Sequence, residues 1–220
     1  MSDLSELLFA VHDALERAGI PHAVGGAIAL AYCTLDPRGT RDIDVNVFVG
    51  PERAREVFAA LPEGIEVSGE RLEQLERDGQ VRLRSGITPV DLFLNVLPFH
   101  NHVEEHVRQV PFEGRTIPIL SCAALVVFKA MFDRTRDWAD IEAMVEAQSF
   151  DPDEASHWIR EMVGDDRRID QLAAAQSRRR SQGEPRPLRP RPDGGVDAPS
   201  YEPRPLRPPP DGGWDDAPSY

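Results

Sequence analysis

Asp42-Ile43-Asp44-Val45-Asn46-Val47 is the stretch on which the fold reading turns. Side chains in a strand point alternately to opposite faces, so Ile43, Val45 and Val47 line one side and Asp42, Asp44 and Asn46 the other. Two carboxylates held side by side repel, and each raises the other's pKa unless a cation lies between them. A hard divalent ion with oxygen ligands meets that need. Residues 89–96 repeat the pattern: Val90, Leu92, Leu94 and Val96 share one face, and Asp91, Phe93 and Asn95 the other. If these strands are neighbours in one sheet, Asp91 joins Asp42 and Asp44, and the three acids can hold Mg²⁺ or Mn²⁺ with positions left for phosphate oxygens and water.

Working outward, Leu4, Leu7, Leu8, Val11 and Leu15 recur at helical spacing and predict a helix over residues 3–18. A short strand at 21–24 leads through Gly25-Gly26 into an apolar helix over 27–33. After the Asp42 strand we expect a helix at 51–61, a strand near 65–68, a helix at 70–77 and strands at 80–84 and 89–96. Residues 100–109 read as helix and 115–119 as extended. From Ser121, an N-cap candidate, the pattern is helical to about residue 180. The fold class is therefore α/β (α+β), a mixed sheet flanked by helices. We divide it into an α/β core over 1–120, a helical part over 121–183 and a tail over 184–220.

That tail is internally duplicated: Glu184-Pro-Arg-Pro-Leu-Arg-Pro190 returns as Glu202-Pro-Arg-Pro-Leu-Arg-Pro208. Its proline and glycine content predicts a solvated, disordered coil, most simply a dispensable extension, although Pro187-Leu-Arg-Pro190 also has the PxxP form that docks aromatic grooves.

Thirty-eight acidic against 25 basic residues give a net charge of −13, which argues against broad nucleic-acid binding. Cys33 and Cys122 lie in apolar segments without C-x-x-C spacing and are expected as reduced buried thiols rather than a disulfide or zinc ligands. The acidic N-terminus lacks a secretory pattern, and no apolar run is long enough to span a membrane, so the cytoplasm is the expected compartment. No P-loop, G-x-G-x-x-G or G-x-S-x-G motif occurs. His102 and His106 share a helical face, but Val103 stands where H-E-x-x-H requires glutamate, so His100, His102 and His106 are read as a surface or partly buried cluster. Arg178-Arg179-Arg180 reads as a solvated helix end.

Lys129 is the one lysine in the chain, set in Ala123-Ala-Leu-Val-Val-Phe-Lys-Ala-Met-Phe132. A compact ammonium suits a nucleotide phosphate. The structural alternative is a snorkelling stem paired with Asp133 one turn on.

Gly25-Gly26, Asp42-x-Asp44, Asp91, and Phe128-Lys129 followed by Arg136-Asp137-Trp138-Ala139-Asp140-Ile141 together resemble the nucleotidyltransferase fold of the DNA polymerase beta superfamily. The likeness is greatest to the minimal bacterial enzymes around the abortive-infection AbiE-type toxins, and it covers residues 5–147. It implies metal-dependent transfer of a nucleoside monophosphate from an NTP to an acceptor hydroxyl or phosphate on tRNA, a protein or a small molecule, and a toxin-like enzyme with a cognate antitoxin. Asp42 and Asp44 would bind the Mg²⁺ (or Mn²⁺) carrying the triphosphate, and Asp91 a second ion. Gly25 and Gly26 would let backbone amides approach the phosphates, and Lys129 would neutralise them. The superfamily often has Gly-Ser where this chain has Gly25-Gly26, so a hydroxyl contact is lost. That departure keeps open an inactive module of the same fold that binds nucleotide or a partner. Asp137 and Asp140 match an acidic pair after the lysine in AbiE-type relatives; capping or salt bridges with Arg134 and Arg136 explain them equally.

Overall fold

Six strands make one mixed sheet, and they lie far from sequence order: β3 (Gln80–Ser85), β4 (Thr88–Leu94), β2 (Ile43–Val47), β1 (His22–Val24), β6 (Arg115–Ile119), β5 (Arg108–Phe112). The computed structural model describes residues 3–37 and 39–181. β2 runs parallel to β4 and β1 parallel to β6, while β1–β2, β3–β4 and β5–β6 are antiparallel. Nine α-helices are described: α1 (Asp3–Arg17), α2 (Gly26–Thr34), α3 (Ala54–Ala60), α4 (Gly69–Asp78), α5 (Phe99–Glu105), α6 (Cys122–Phe132), α7 (Thr135–Ala147), α8 (Pro152–Val163) and α9 (Arg167–Ser181). The mixed sheet flanked by helices, with a helical run after Ser121, is the architecture that the sequence pattern predicts.

The alternation of β2 and β4 is explained by burial on both sides of the sheet. Ile43, Val45, Val47, Val90, Leu92 and Leu94 are buried on one face, where His22 of β1 joins them and α1 supplies His12 as a covering side chain. On the other face Phe93 meets Phe132 at the end of α6. Ser121 caps α6 as expected, its hydroxyl accepting from the Ala124 amide at 3.2 Å.

Four local expectations are corrected. Residues 65–68 form no strand; Glu66 donates a single backbone bond to Arg84, and the segment is otherwise outside the ladder. The predicted helix at 51–61 is a 3₁₀ turn over Pro51–Arg53 followed by α3. The predicted helix at 100–109 stops at Glu105, and β5 begins at Arg108. Pro111 masked this strand, which tolerates proline because β5 is a sheet edge. Its hairpin to β6 closes through Glu113-Gly114, both at positive φ (43° and 81°).

The fourth correction concerns the cysteines. Cys33 on α2 and Cys122 on α6 form a disulfide, with their Cα atoms 5.6 Å apart and a sequence separation of 89. Packing of α2 on α6 brings them together, and a pairing so distant leaves no spacing signal in the chain. The bond belongs to the wall of a cavity of about 670 Å³ that is also lined by Tyr32, His106, Arg108 and Phe150. The tail over 184–220, with its expected disorder and PxxP segment, lies outside the described residues. Among the described residues no helix is long and apolar enough to cross a membrane.

Candidate active site

The register of the sheet assembles a row of polar groups across four strands. Arg82 on β3 is opposite Asp91 on β4, Asp91 is opposite Asp44 on β2, and the Asp44 carbonyl accepts from the Gly25 amide at 2.8 Å just beyond β1. Parallel neighbours lie about 4.8 Å apart, so the Asp44 and Asp91 side chains rise from adjacent backbone positions on one face. Asp42 is two residues before Asp44 and therefore on the same side. Its carboxylate accepts a 2.6 Å hydrogen bond from the Thr40 hydroxyl, which fixes it as the chain enters β2.

Arg82 is the counter-charge of this row. Its guanidinium donates to both oxygens of Asp91, at 2.8 and 2.6 Å, and lies 3.9 Å from Asp42. Asp44 has less help. Desolvation, then the charges of Asp42 and Asp91, push its pKa up to about 7, while Lys129 and Arg82 pull the other way. It is the acid most in need of a cation.

Lys129 reaches the same neighbourhood from α6. Its ammonium donates to Asp140 at 2.7 Å and lies 3.5 Å from Asp137, with 12% of the side chain exposed. The alternative pairing with Asp133 is not formed: Asp133 takes Arg167, Arg168 and the Trp138 indole instead. The left-handed Asp133 that ends α6 turns the chain into α7, whose first two turns present Asp137 and Asp140 to the lysine. Asp137 is almost wholly buried and is also held by Arg134 at 2.6 Å. The salt bridge of Asp137 with Arg134 is formed, and Lys129 is a partner that Asp137 and Asp140 share.

Gly26 opens α2 at φ +52°, and a Cβ there would lie 1.8 Å from Asp44 Oδ2. The glycine is required by the close approach of the helix start to the carboxylate, so a serine at this position needs Asp44 to move. Because the Gly25 amide serves the Asp44 carbonyl, helix-start amides available to a ligand begin at Gly26.

The sequence pattern alone does not single out Arg82 or Thr40. Counting back from the β3–β4 turn at Gly86-Ile87 puts Arg82 opposite Asp91, so the arginine was legible once the hairpin was recognised.

The donor set fits a divalent cation. Asp42 and Asp44 supply hard carboxylate oxygens, and the raised pKa of Asp44 shows that Lys129 and Arg82 do not fully compensate its charge. Asp42 and Asp44 are the pair best placed for it, since Arg82 already holds both oxygens of Asp91.

A mixed sheet with paired strand aspartates beside a helix-start glycine pair defines a nucleotidyltransferase fold. The chain belongs to the AbiEii family, nucleotidyl transferase AbiEii toxins of type IV toxin–antitoxin systems, whose family model matches residues 7–208. Solved structures with a similar fold include ANT(2")-Ia in complex with adenylyl-2"-tobramycin, at 16% identity and TM-score 0.47, covering 80% of this chain and 99% of that one. A putative nucleotidyltransferase from H. pylori is 16% identical with TM-score 0.42, covering 83% and 99%. An antigenic nucleotidyltransferase-like protein from Paracoccidioides brasiliensis is 18% identical with TM-score 0.45, covering 80% and 94%. No match is found among curated proteins.

Proposed function

We propose that the protein is a metal-dependent nucleotidyltransferase that moves a nucleoside monophosphate from an NTP to an acceptor hydroxyl or phosphate on tRNA, a protein or a small molecule. The supporting observation is the register pairing of Asp44 with Asp91, beside a lysine whose charge is felt by Asp44. In this reading Asp42 and Asp44 hold Mg²⁺ or Mn²⁺, which when bound neutralises the triphosphate and polarises the phosphorus under attack. Residues 1–120 carry the carboxylates and residues 121–183 contribute Lys129, which attracts the phosphates while Asp137 and Asp140 orient its ammonium. Gly26 lets the α2 amides approach a phosphate oxygen without a side chain intervening. Asp91 accepts the acceptor's proton or holds a second ion once Arg82 releases it; Arg82 is 54% exposed and has room to swing outward. Alignment and charge stabilisation supply most of the rate, so few side chains are needed.

Family membership supports a toxin paired with an antitoxin partner, acting in the cytoplasm. There the Cys33–Cys122 bond would meet thiol reductants.

One observation favours a second reading. The bidentate Arg82–Asp91 pair satisfies the third acid internally, as expected of a module that binds nucleotide or a protein partner without turnover. Incubation with each α-labelled NTP, Mg²⁺ or Mn²⁺, and total tRNA or cell lysate separates the two. Label transferred by the native protein and lost in folded Asp42→Asn supports the enzyme. Metal-dependent NTP binding without transfer under any condition supports the module.

A further inference from the structure

At the other end of β1, and on the opposite face of the sheet from Asp44, a second set of metal-ligating groups converges. His12 and Glu16 are one turn apart on α1 and share a helix face. His22 on β1 faces them. Ligand atoms of all three residues lie within 4.8 Å of one another, and no other trio of His, Cys, Asp or Glu among the described residues does so.

The chemistry of each group favours a transition-metal dication over a chance cluster. His22 Nδ1 lies 2.9 Å from the Ile20 carbonyl. A carbonyl only accepts, so Nδ1 carries the hydrogen, and in the neutral ring the lone pair is on Nε2. A backbone carbonyl holding the far nitrogen of a ligating histidine is the usual outer contact of a zinc site. The Nε2 lone pair is aimed at His12 Nδ1, 2.8 Å away. Two bonds of about 2.0–2.1 Å in tetrahedral geometry need those nitrogens roughly 3.3 Å apart. His22 is buried, but His12 is half-buried on a helix surface, so a small rotation of its ring opens the gap. Glu16 is exposed and can bring its carboxylate to the open side.

We propose that His12 Nδ1, His22 Nε2 and a Glu16 carboxylate oxygen form a binding site for Zn²⁺ or a similar borderline dication, with water in the fourth position. Two imidazoles and one carboxylate suit zinc, cobalt or nickel, whereas the all-oxygen aspartate row suits magnesium or manganese. The ion clips α1 onto β1, the strand that leads into Gly25.

Co²⁺ titrated into the metal-stripped full-length protein reports the site by its visible d–d absorption, and Zn²⁺ added afterwards measures displacement. One equivalent of Co²⁺ with intense, tetrahedral-type bands is expected, bleached by one equivalent of Zn²⁺. His12→Ala and Glu16→Gln should each weaken binding by roughly tenfold or more. The Asp42→Asn, Asp44→Asn double variant should keep the bands, which separates this site from the aspartate row. Absence of such bands in the native protein overturns the proposal, as does their persistence in both His12→Ala and Glu16→Gln or their loss in the double aspartate variant. If His12→Ala fails to fold by circular dichroism, Glu16→Gln, at an exposed helix position, decides alone.

Discussion

The two ends of β1 bear opposite kinds of ionisable cluster. Beyond its C-terminal end, Asp42, Asp44 and Asp91 share one face of the sheet, and burial with the charges of Asp42 and Asp91 pushes the pKa of Asp44 up to about 7 against the pull of Lys129 and Arg82. At its N-terminal end, His12 and His22 bond to each other and His22 to the Ile20 carbonyl, so that cluster is satisfied internally. Three residues separate the two, about 10 Å along a strand. Excess like charge, kept at a protein's expense, marks a place where a ligand completes the electrostatics. An internally bonded cluster gives no such sign, and only its donor geometry reveals what else it can hold.

The largest effect expected is at the crowded end. Asp44→Asn should lower nucleotidyl transfer on the order of 100-fold or more, measured as labelled NMP incorporated, while folding is unchanged. Activity within a few-fold of native would remove Asp44 from the proposed chemistry.

Stability should record the same crowding with the opposite sign. Asp44 has a pKa of about 7 when folded, against 3.8 for an ordinary aspartate, so between these pH values the native state retains a proton that the unfolded chain has released. The stabilising contribution is full below the unfolded pKa and is lost as pH rises toward 7, a drop of up to about 4 kcal/mol. Urea unfolding of the metal-free protein from pH 5 to 8 checks it. Asp44→Asn should flatten the profile and raise stability at pH 8; an unchanged slope would show that Asp44 is not the strained group.

Arg82→Gln sharpens the contrast further. Releasing Asp91 from its guanidinium partner adds a carboxylate to the excess, and Mn²⁺ affinity should rise about tenfold, consistent with the ~1–2 kcal/mol of a charge-assisted pair. Weaker Mn²⁺ binding in this variant would mean that Arg82 organises the acids rather than competing for them.

The smallest effect belongs to the satisfied end. In metal-free protein, His12→Ala should cost about 1 kcal/mol, the worth of one partly buried hydrogen bond, by denaturant midpoint at pH 7.5. A cost several times larger would indicate packing of the His12 ring as the main contribution.

Much of the crowded end was legible in the chain because two strands with period-two alternation must put their polar residues on one face. The alternation gave Asp42, Asp44 and Asp91 their common side, and the isolated lysine drew attention to α6. Register gave the rest: Arg82 meets Asp91 only through the hairpin at Gly86-Ile87, and Lys129 meets Asp137 and Asp140 only because Asp133 turns the chain back. The histidine end was silent, since His12, Glu16 and His22 bridge a helix and a strand and follow no single period. The Cys33–Cys122 bond is invisible in the chain for a similar reason, since the contact is a product of helix packing at a sequence separation of 89. β5 was hidden by Pro111, which breaks a strand's composition without breaking an edge strand.

Asp42 and Asp44 are proposed to hold a divalent ion whose binding expels the proton from Asp44. Mn²⁺ binding followed by electron paramagnetic resonance across pH 5.5–8.5, in native protein and in Asp44→Asn, tests it most directly. Affinity in the native protein should climb about tenfold per pH unit up to about pH 7 and then level off, with binding lost in the variant. Equal Mn²⁺ affinity in both proteins, or a native affinity flat through pH 7, would contradict it.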